Sequence, residues 1–186
     1  METINRTTEN DMNLCRQYAG DWFNYSEKLP VSYVYNSKKY KGLPKNSTVS
    51  KRFIDANIVE TTMIGTIDNT LQIKAECLTY RDYPAVEWTV YFSCAPGSEK
   101  TDIFENVLGA DIFFGSEKAP VLVHNNGDFY SKDGYTVGHT VIGEDIVFTQ
   151  APVGGRPCDR AFPYQRLLFD GFYHKKQTLY LHISKL

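Results

Sequence analysis

The 186-residue chain is 42% hydrophobic and 23% charged, a composition that can fill a core and that excludes disorder on compositional grounds. Lys and Arg total 20 against 22 Asp and Glu, and the resulting net charge of -2 argues against a nucleic acid or an anionic membrane engaged through bulk charge. No apolar run approaches the roughly 20 residues of a membrane-spanning helix.

The opening Met1-Glu2-Thr3-Ile4-Asn5-Arg6 lacks the basic-then-apolar order of a secretory signal. Cys15, Cys77, Cys94 and Cys158 lie far apart with no CxxC pair. Together these features predict free thiols and a cytoplasmic location, where the N-x-S/T matches at Asn5, Asn24 and Asn46 are chance sequons.

Residues 7 to 22 hold the helix-like stretch, with Met12, Leu14, Cys15 and Tyr18 at helical spacing behind Thr8 as N-cap. From Val31 onward the period becomes two. Leu71, Ile73, Ala75 and Cys77 alternate with polar residues, as do Val86, Trp88, Val90 and Phe92, and then Leu179, Leu181 and Ile183. Such alternation puts one set of side chains on each face of a strand and marks antiparallel sheets with one face in the core. It predicts Val86, Trp88, Val90 and Phe92 inward, and Glu87, Thr89 and Tyr91 outward. Asp68-Asn69, Pro96-Gly97, Asn125-Asn126-Gly127, Asp133-Gly134 and Gly154-Gly155 supply the turns. Thirteen Tyr against 2 Trp fit the same reading, since Tyr favours pleated, half-buried surfaces. Many strands, frequent turns and little helix predict an all-β sandwich or barrel, with residues 1–28 as a partly helical N-terminal extension and 29–186 as one β domain.

Chemistry-bearing motifs are few. His124, His139, His174 and His182 have neither HExxH nor HxH spacing, so the sequence implies no metal and no cofactor. No nucleophile elbow, phosphate-binding loop or dinucleotide fingerprint occurs. Asp82, Asp102, Glu105 and Asp111 are carboxylates without an arguable catalytic partner. The densest polar segment runs from Val153 to Tyr164, where two glycines and two prolines make a rigid loop. Arg156 and Arg160 offer planar donor forks for hydroxyl pairs or carboxylates, Asp159 can accept, and Phe162 and Tyr164 stand behind them. An Arg–Asp ion pair pinning a long connection explains the same residues equally well.

Gly155-Arg156-Pro157-Cys158-Asp159 followed by Ala161-Phe162-Pro163-Tyr164 resembles the G-R-x-S-[DN]-x-x-x-P-[YF] loop of family 36 glycoside hydrolases, the α-galactosidase (melibiase) group. Two earlier stretches agree. Leu29-Pro30-Val31-Ser32-Tyr33-Val34-Tyr35-Asn36-Ser37-Lys38 is similar to the family's P-F-S-F-x-Y-x-G-K opening strand. Tyr80-Arg81-Asp82-Tyr83-Pro84-Ala85-Val86-Glu87-Trp88-Thr89-Val90-Tyr91-Phe92 is similar to its Y-x-D-[FY]-P-x-V-E-W-x-x-x-[FL] hairpin. The likeness spans about residues 29 to 169, in family order.

The resemblance implies an antiparallel β-supersandwich similar to galactose mutarotase, in the position of the family's N-terminal domain. It implies a non-catalytic role: carbohydrate (galactoside) contact through Arg156, Asp159, Arg160 and Tyr164, and assembly with a catalytic barrel or a homo-oligomer. The family's catalytic aspartates sit on a following (β/α)8 barrel of roughly 250 residues, which implies an excised domain or a stand-alone version. Departures exist: Cys158 replaces the usual Ser, and Gln165-Arg166 follows where the family continues into an apolar, Gly-rich strand. Two alternatives stay open. One is a mutarotase- or epimerase-like sugar enzyme using His124 or His139 with Glu87 or Glu144 as acid and base. The other is a protein-interaction module whose apolar surface seeks a partner.

Overall fold

The computed structural model describes residues 7–114, 118–127, 132–143, 145–155 and 158–169, and the backbone of 178–182. Helix α1 (Glu9–Phe23) opens the described chain behind Thr8. The Thr8 hydroxyl accepts from the Asp11 amide at 3.2 Å, and the Asp11 carboxylate accepts from the Thr8 amide at 2.8 Å. This reciprocal pair satisfies donors that the first helical turn otherwise leaves orphaned. The expected N-cap is therefore in place, and the helix ends one residue later than its spacing predicts.

Eleven strands follow among the described residues: β1 (Ser32–Tyr35), β2 (Lys38–Lys41), β3 (Thr48–Phe53), β4 (Ile58–Ile67), β5 (Leu71–Tyr80), β6 (Val86–Cys94), β7 (Phe104–Leu108), β8 (Val121–His124), β9 (Gly138–Val141), β10 (Tyr164–Leu168) and β11 (Thr178–His182). All pairings are antiparallel, in three sheets ordered β2-β1-β7, β3-β4-β5-β6 and β11-β10-β8-β9. The described residues are thus mainly β with one α-helix and a single 3-10 turn at Ser26–Lys28, as the period-two pattern predicts. No helix among the described residues is long and apolar enough to cross a membrane.

The chain divides into two compact units, residues 1–112 and 113–186. The boundary falls inside the 29–186 span that the sequence reads as one domain, and the segment before residue 29 contributes Ala19 and Phe23 to the first unit's core.

In the first unit, β3 to β6 form a meander whose inner face carries Met63, Ile67, Leu71, Ile73, Ala75, Cys77 and Val90. Tyr33 and Tyr35 of β1 are buried in the same cluster. Register places Cys77 opposite Trp88, Ala75 opposite Val90 and Ile73 opposite Phe92. Val90 is buried, Val86, Trp88 and Phe92 are half-buried, and Glu87, Thr89 and Tyr91 are exposed, so the predicted facing of β6 is observed. Helix α1 reaches this face through Phe23 and Trp22, whose rings meet Trp88 edge-on at 6.1 and 5.8 Å. The Trp88 indole N–H donates to the Gly109 carbonyl at 2.8 Å, giving the polar edge of a large apolar side chain a partner. Gly65 has a steric reason: a Cβ there would lie 2.1 Å from the Ser47 hydroxyl oxygen.

Long-range polar contacts complete this unit. The buried Tyr35 hydroxyl lies 2.6 Å from the Thr70 hydroxyl and accepts from the Asp102 amide at 3.0 Å, tying β1 to the β4–β5 turn and to the segment before β7. Burial raises the Tyr33 phenol above its ordinary pKa, with Tyr40 adding to it, and burial pushes the Cys77 thiol up to about 12.

Candidate functional site

The predicted loop belongs to the second unit, in the connection between β9 and β10. Its frame comes from β8, β9 and β10, whose Val121 and Leu122 are buried. The β8–β10 ladder pairs Val121 with Leu168, Leu122 with Leu167 and Val123 with Arg166, and stops there. Beyond that point Asn125 turns away. Its side-chain oxygen accepts from the Gly127 amide at 2.9 Å, an Asx turn. Gly127 sits at φ 71, and a Cβ there would approach the Cys158 carbonyl oxygen to 2.6 Å. Only glycine meets both demands.

Gln150 fastens the loop. Its side-chain amide donates to the Asn125 carbonyl at 2.9 Å and to the Arg160 carbonyl at 3.1 Å, while its side-chain oxygen accepts from Gln165 at 3.2 Å. One amide thereby satisfies carbonyls from two segments that no strand ladder reaches. Phe162 adds a backbone bond to the Asn125 carbonyl at 3.2 Å and places its ring 6.1 Å from Tyr135.

Against this frame, the predicted contact residues separate. Asp159 is half-buried; its carbonyl accepts from the Val153 amide at 3.2 Å, and its Oδ1 is buried without a hydrogen-bond partner. Arg160 is exposed and holds the left-handed conformation, φ 61, with its carbonyl turned to Gln150. Tyr164 begins β10, 55% exposed, with its ring 5.5 Å from Phe162. Phe162 is therefore the half-buried anchor of the loop, and Tyr164 presents itself to solvent. Arg156 lies outside the described residues, as does Pro157.

Beside the loop, where β8 and β10 part, a shallow cleft of about 200 Å³ lies between Val123, His124 and Asn125 on one side and Tyr164, Gln165 and Arg166 on the other. The His124 Nε2 is 3.0 Å from the Thr140 hydroxyl, and its ring lies 4.4 Å from that of Phe148. Burial lowers the His124 pKa, and the charge of His139 lowers it further, so the neutral imidazole is favoured. His124 Nδ1 and Arg166 Nε are both buried without a hydrogen-bond partner.

Neither Gln150 nor Arg166 stands out in the sequence as a site residue. Gln150 sits in an aperiodic stretch, and its partners are 10 to 25 positions away. Only the departure from the apolar strand at Gln165-Arg166 hinted at polar chemistry there. Of the acid–base candidates, Glu87 lies in the first unit on the outward face, accepting a hydrogen bond from the Tyr80 hydroxyl. Glu144 lies outside the described residues, and the described part of the second unit contains no Glu. Among the described residues no group of three His, Cys, Asp or Glu is placed to hold a metal ion.

No family model matches the chain, and comparison with curated proteins and with solved structures gives no match.

Proposed function

We propose that the chain is a non-catalytic β-supersandwich module of an α-galactosidase-like glycoside hydrolase, contributing galactoside contacts and a surface for a catalytic barrel. The reading is carried by the Asp82-Tyr83-Pro84-Ala85-Val86-Glu87-Trp88 stretch, which falls on the β5–β6 connection and the start of β6. There Trp88 joins the core while the Arg81-Asp82-Tyr83 tip is exposed, the division of labour a shared scaffold motif requires. The other two similar stretches fall on β1 and on the loop before β10, again in order. A retaining mechanism needs two carboxylates about 5 Å apart, and the resemblance assigns those to the barrel rather than to these residues.

The test is a galactose titration of the ¹⁵N-labelled chain, followed at Gly154, Gly155 and residues 158 to 164. Saturable shifts there with a millimolar Kd, a binding free energy of about 4 kcal/mol, are expected, together with no turnover of aryl α-galactosides. Shifts confined to the first unit, hydrolysis surviving purification, or accelerated galactose mutarotation in polarimetry would each overturn it.

A further inference from the structure

We propose that the free edge of β2 takes up an acidic peptide segment as an added strand, with Lys38, Lys39 and Lys41 as its counter-charges. The edge lies in the first unit and shares no residue with the Val153–Tyr164 loop, so it stands apart from the function proposed above.

β2 ends its sheet, in the order β2-β1-β7. The Gly42 amide donates to the Val31 carbonyl at 2.8 Å, and the next pair along the ladder is Lys41 with Ser32. Hydrogen-bonded and open pairs alternate in an antiparallel ladder, so the N–H and C=O of Lys39 and Lys41 point away from β1. Among the described residues no backbone group pairs with them. An unpaired edge of this kind is a template for another strand. It is also held in one conformation. Asn36 and Ser37 close the β1–β2 hairpin in the left-handed region, φ 48 and 61, as a tight two-residue turn requires. The Tyr40 ring stacks on buried Tyr33 at 5.6 Å, and the Tyr33 hydroxyl donates to the Gly42 carbonyl at 3.2 Å. The edge is therefore ordered before a partner arrives, which lowers the cost of binding.

Charge selects the partner. From Lys28 to Arg52 the chain carries seven of its 20 Lys and Arg and no Asp or Glu. Arg52 is paired with Glu60, and Lys51 donates to the Asn24 side chain at 2.7 Å. Lys38, Lys39 and Lys41 are exposed, and none of them forms an ion pair among the described residues. Lys39 and Lys41 project to one face of β2, Lys38 to the other. Glu105, the carboxylate aligned with Lys39 by register, stands two strands away across Val34, about 10 Å by strand spacing. Like charges directly opposite are destabilising, so the β2 edge of a second copy is a poor neighbour. A strand with Glu or Asp at alternate positions turns that repulsion into cross-strand pairs with Lys39 and Lys41. At the far end the turn at Ser26–Lys28 abuts the chain, where a Cβ on Gly42 would meet the Glu27 carbonyl oxygen at 2.5 Å. The free edge is thus only the four residues of β2, which suits a short segment.

The experiment titrates the ¹⁵N-labelled full chain with three end-blocked peptides in parallel: one alternating Glu with Val, one alternating Lys with Val, and the acidic sequence N-methylated at every amide. The last keeps the charge and removes the strand's donors. The acidic peptide is expected to shift the amides of residues 38 to 42 saturably, at least tenfold more tightly than either of the others, and to weaken as salt is raised. The chain carrying both Lys39→Glu and Lys41→Glu should prefer the basic peptide instead. The peptide comparison uses the unaltered chain, so it stands even where the substitutions disturb folding. Equal binding of the acidic and basic peptides, or an unchanged preference in the folded double variant, would remove charge as the selector. Equal binding of the N-methylated peptide would mean adsorption to lysines without strand addition. Shifts at residues 38 to 42 on concentrating the chain alone would make a second copy the occupant. Each of these results would overturn the site, and none bears on the galactose response of residues 158 to 164.

Discussion

In the first unit, β4 and β5 run for ten residues each and β6 for nine, and their alternating side chains meet β1 and α1 in one apolar cluster. In the second unit the strands run for four or five residues, and one ladder stops after three pairs. Order beyond that point depends on the Gln150 amide, the Asn125 turn and Gly127. Burying a large apolar side chain is worth about 1.5–3 kcal/mol and needs no particular direction, whereas a hydrogen bond nets about 1 kcal/mol and fails once its geometry is lost. A region built mainly on the first is robust to change at its surface. One built on the second can present unpaired polar atoms, which is where a ligand finds something to bind.

The apolar cluster of the first unit is weakened most by a change at Trp88. Trp88→Ala removes edge contacts to Trp22 and Phe23 and the indole hydrogen bond to the exposed Gly109 carbonyl. A loss of about 3 kcal/mol in urea unfolding is expected, toward the low end for a large aromatic because the ring is only half-buried. Loss below about 1 kcal/mol would mean that the β6 face contributes little.

Next comes Gly127→Ala, which adds a Cβ at φ 71 against the Cys158 carbonyl. About 2 kcal/mol of strain is expected. Hydrogen exchange should accelerate at residues 121 to 127 and 158 to 168, with β4, β5 and β6 unchanged. Equal acceleration in both units would show that they do not respond separately.

Gln150→Ala sharpens the contrast further. It leaves the Asn125 and Arg160 carbonyls without that donor and should cost about 1 kcal/mol, again read as exchange confined to the second unit. An unchanged exchange pattern would remove Gln150 from the account of the loop.

Thiol chemistry gives a pH test of the first unit's core. Burial raises the Cys77 pKa from 9.0 to about 12, so the folded state favours the neutral thiol. Its contribution to stability is fully present below pH 9 and is lost progressively as pH rises toward 12. At pH 8 exposed Cys94 should label rapidly with a thiol reagent and Cys77 only on unfolding. Matched labelling rates would place Cys77 outside the core.

The smallest effect belongs to the surface. Arg52 and Glu60 form an ion pair across β3 and β4, in which the Arg52 side chain is 72% exposed. Arg52→Ala should leave the thermal midpoint unchanged within error. A clear drop would show that the outward face of this sheet carries stability that its exposure does not suggest.

What the sequence determined by itself was local or periodic. Thr8 and Asp11 fix the helix start within one turn, and side-chain alternation sets which face of β5 and β6 is apolar. Asp68 and Asn69 both tolerate the left-handed conformation that their turn adopts, φ 50 and 56. The tertiary structure decided everything that joins distant residues: β1 pairs β7 across about 70 positions, Tyr35 accepts from Asp102, and Gln150 spans two carbonyls. It also divided the chain at residue 112 and left Arg166 half-buried without a counter-charge. Backbone propensity and period act over a few residues, so they can be read directly from the chain. A polar atom's partner, or its lack of one, depends on which strands part and where, and that is fixed only when the sheets close.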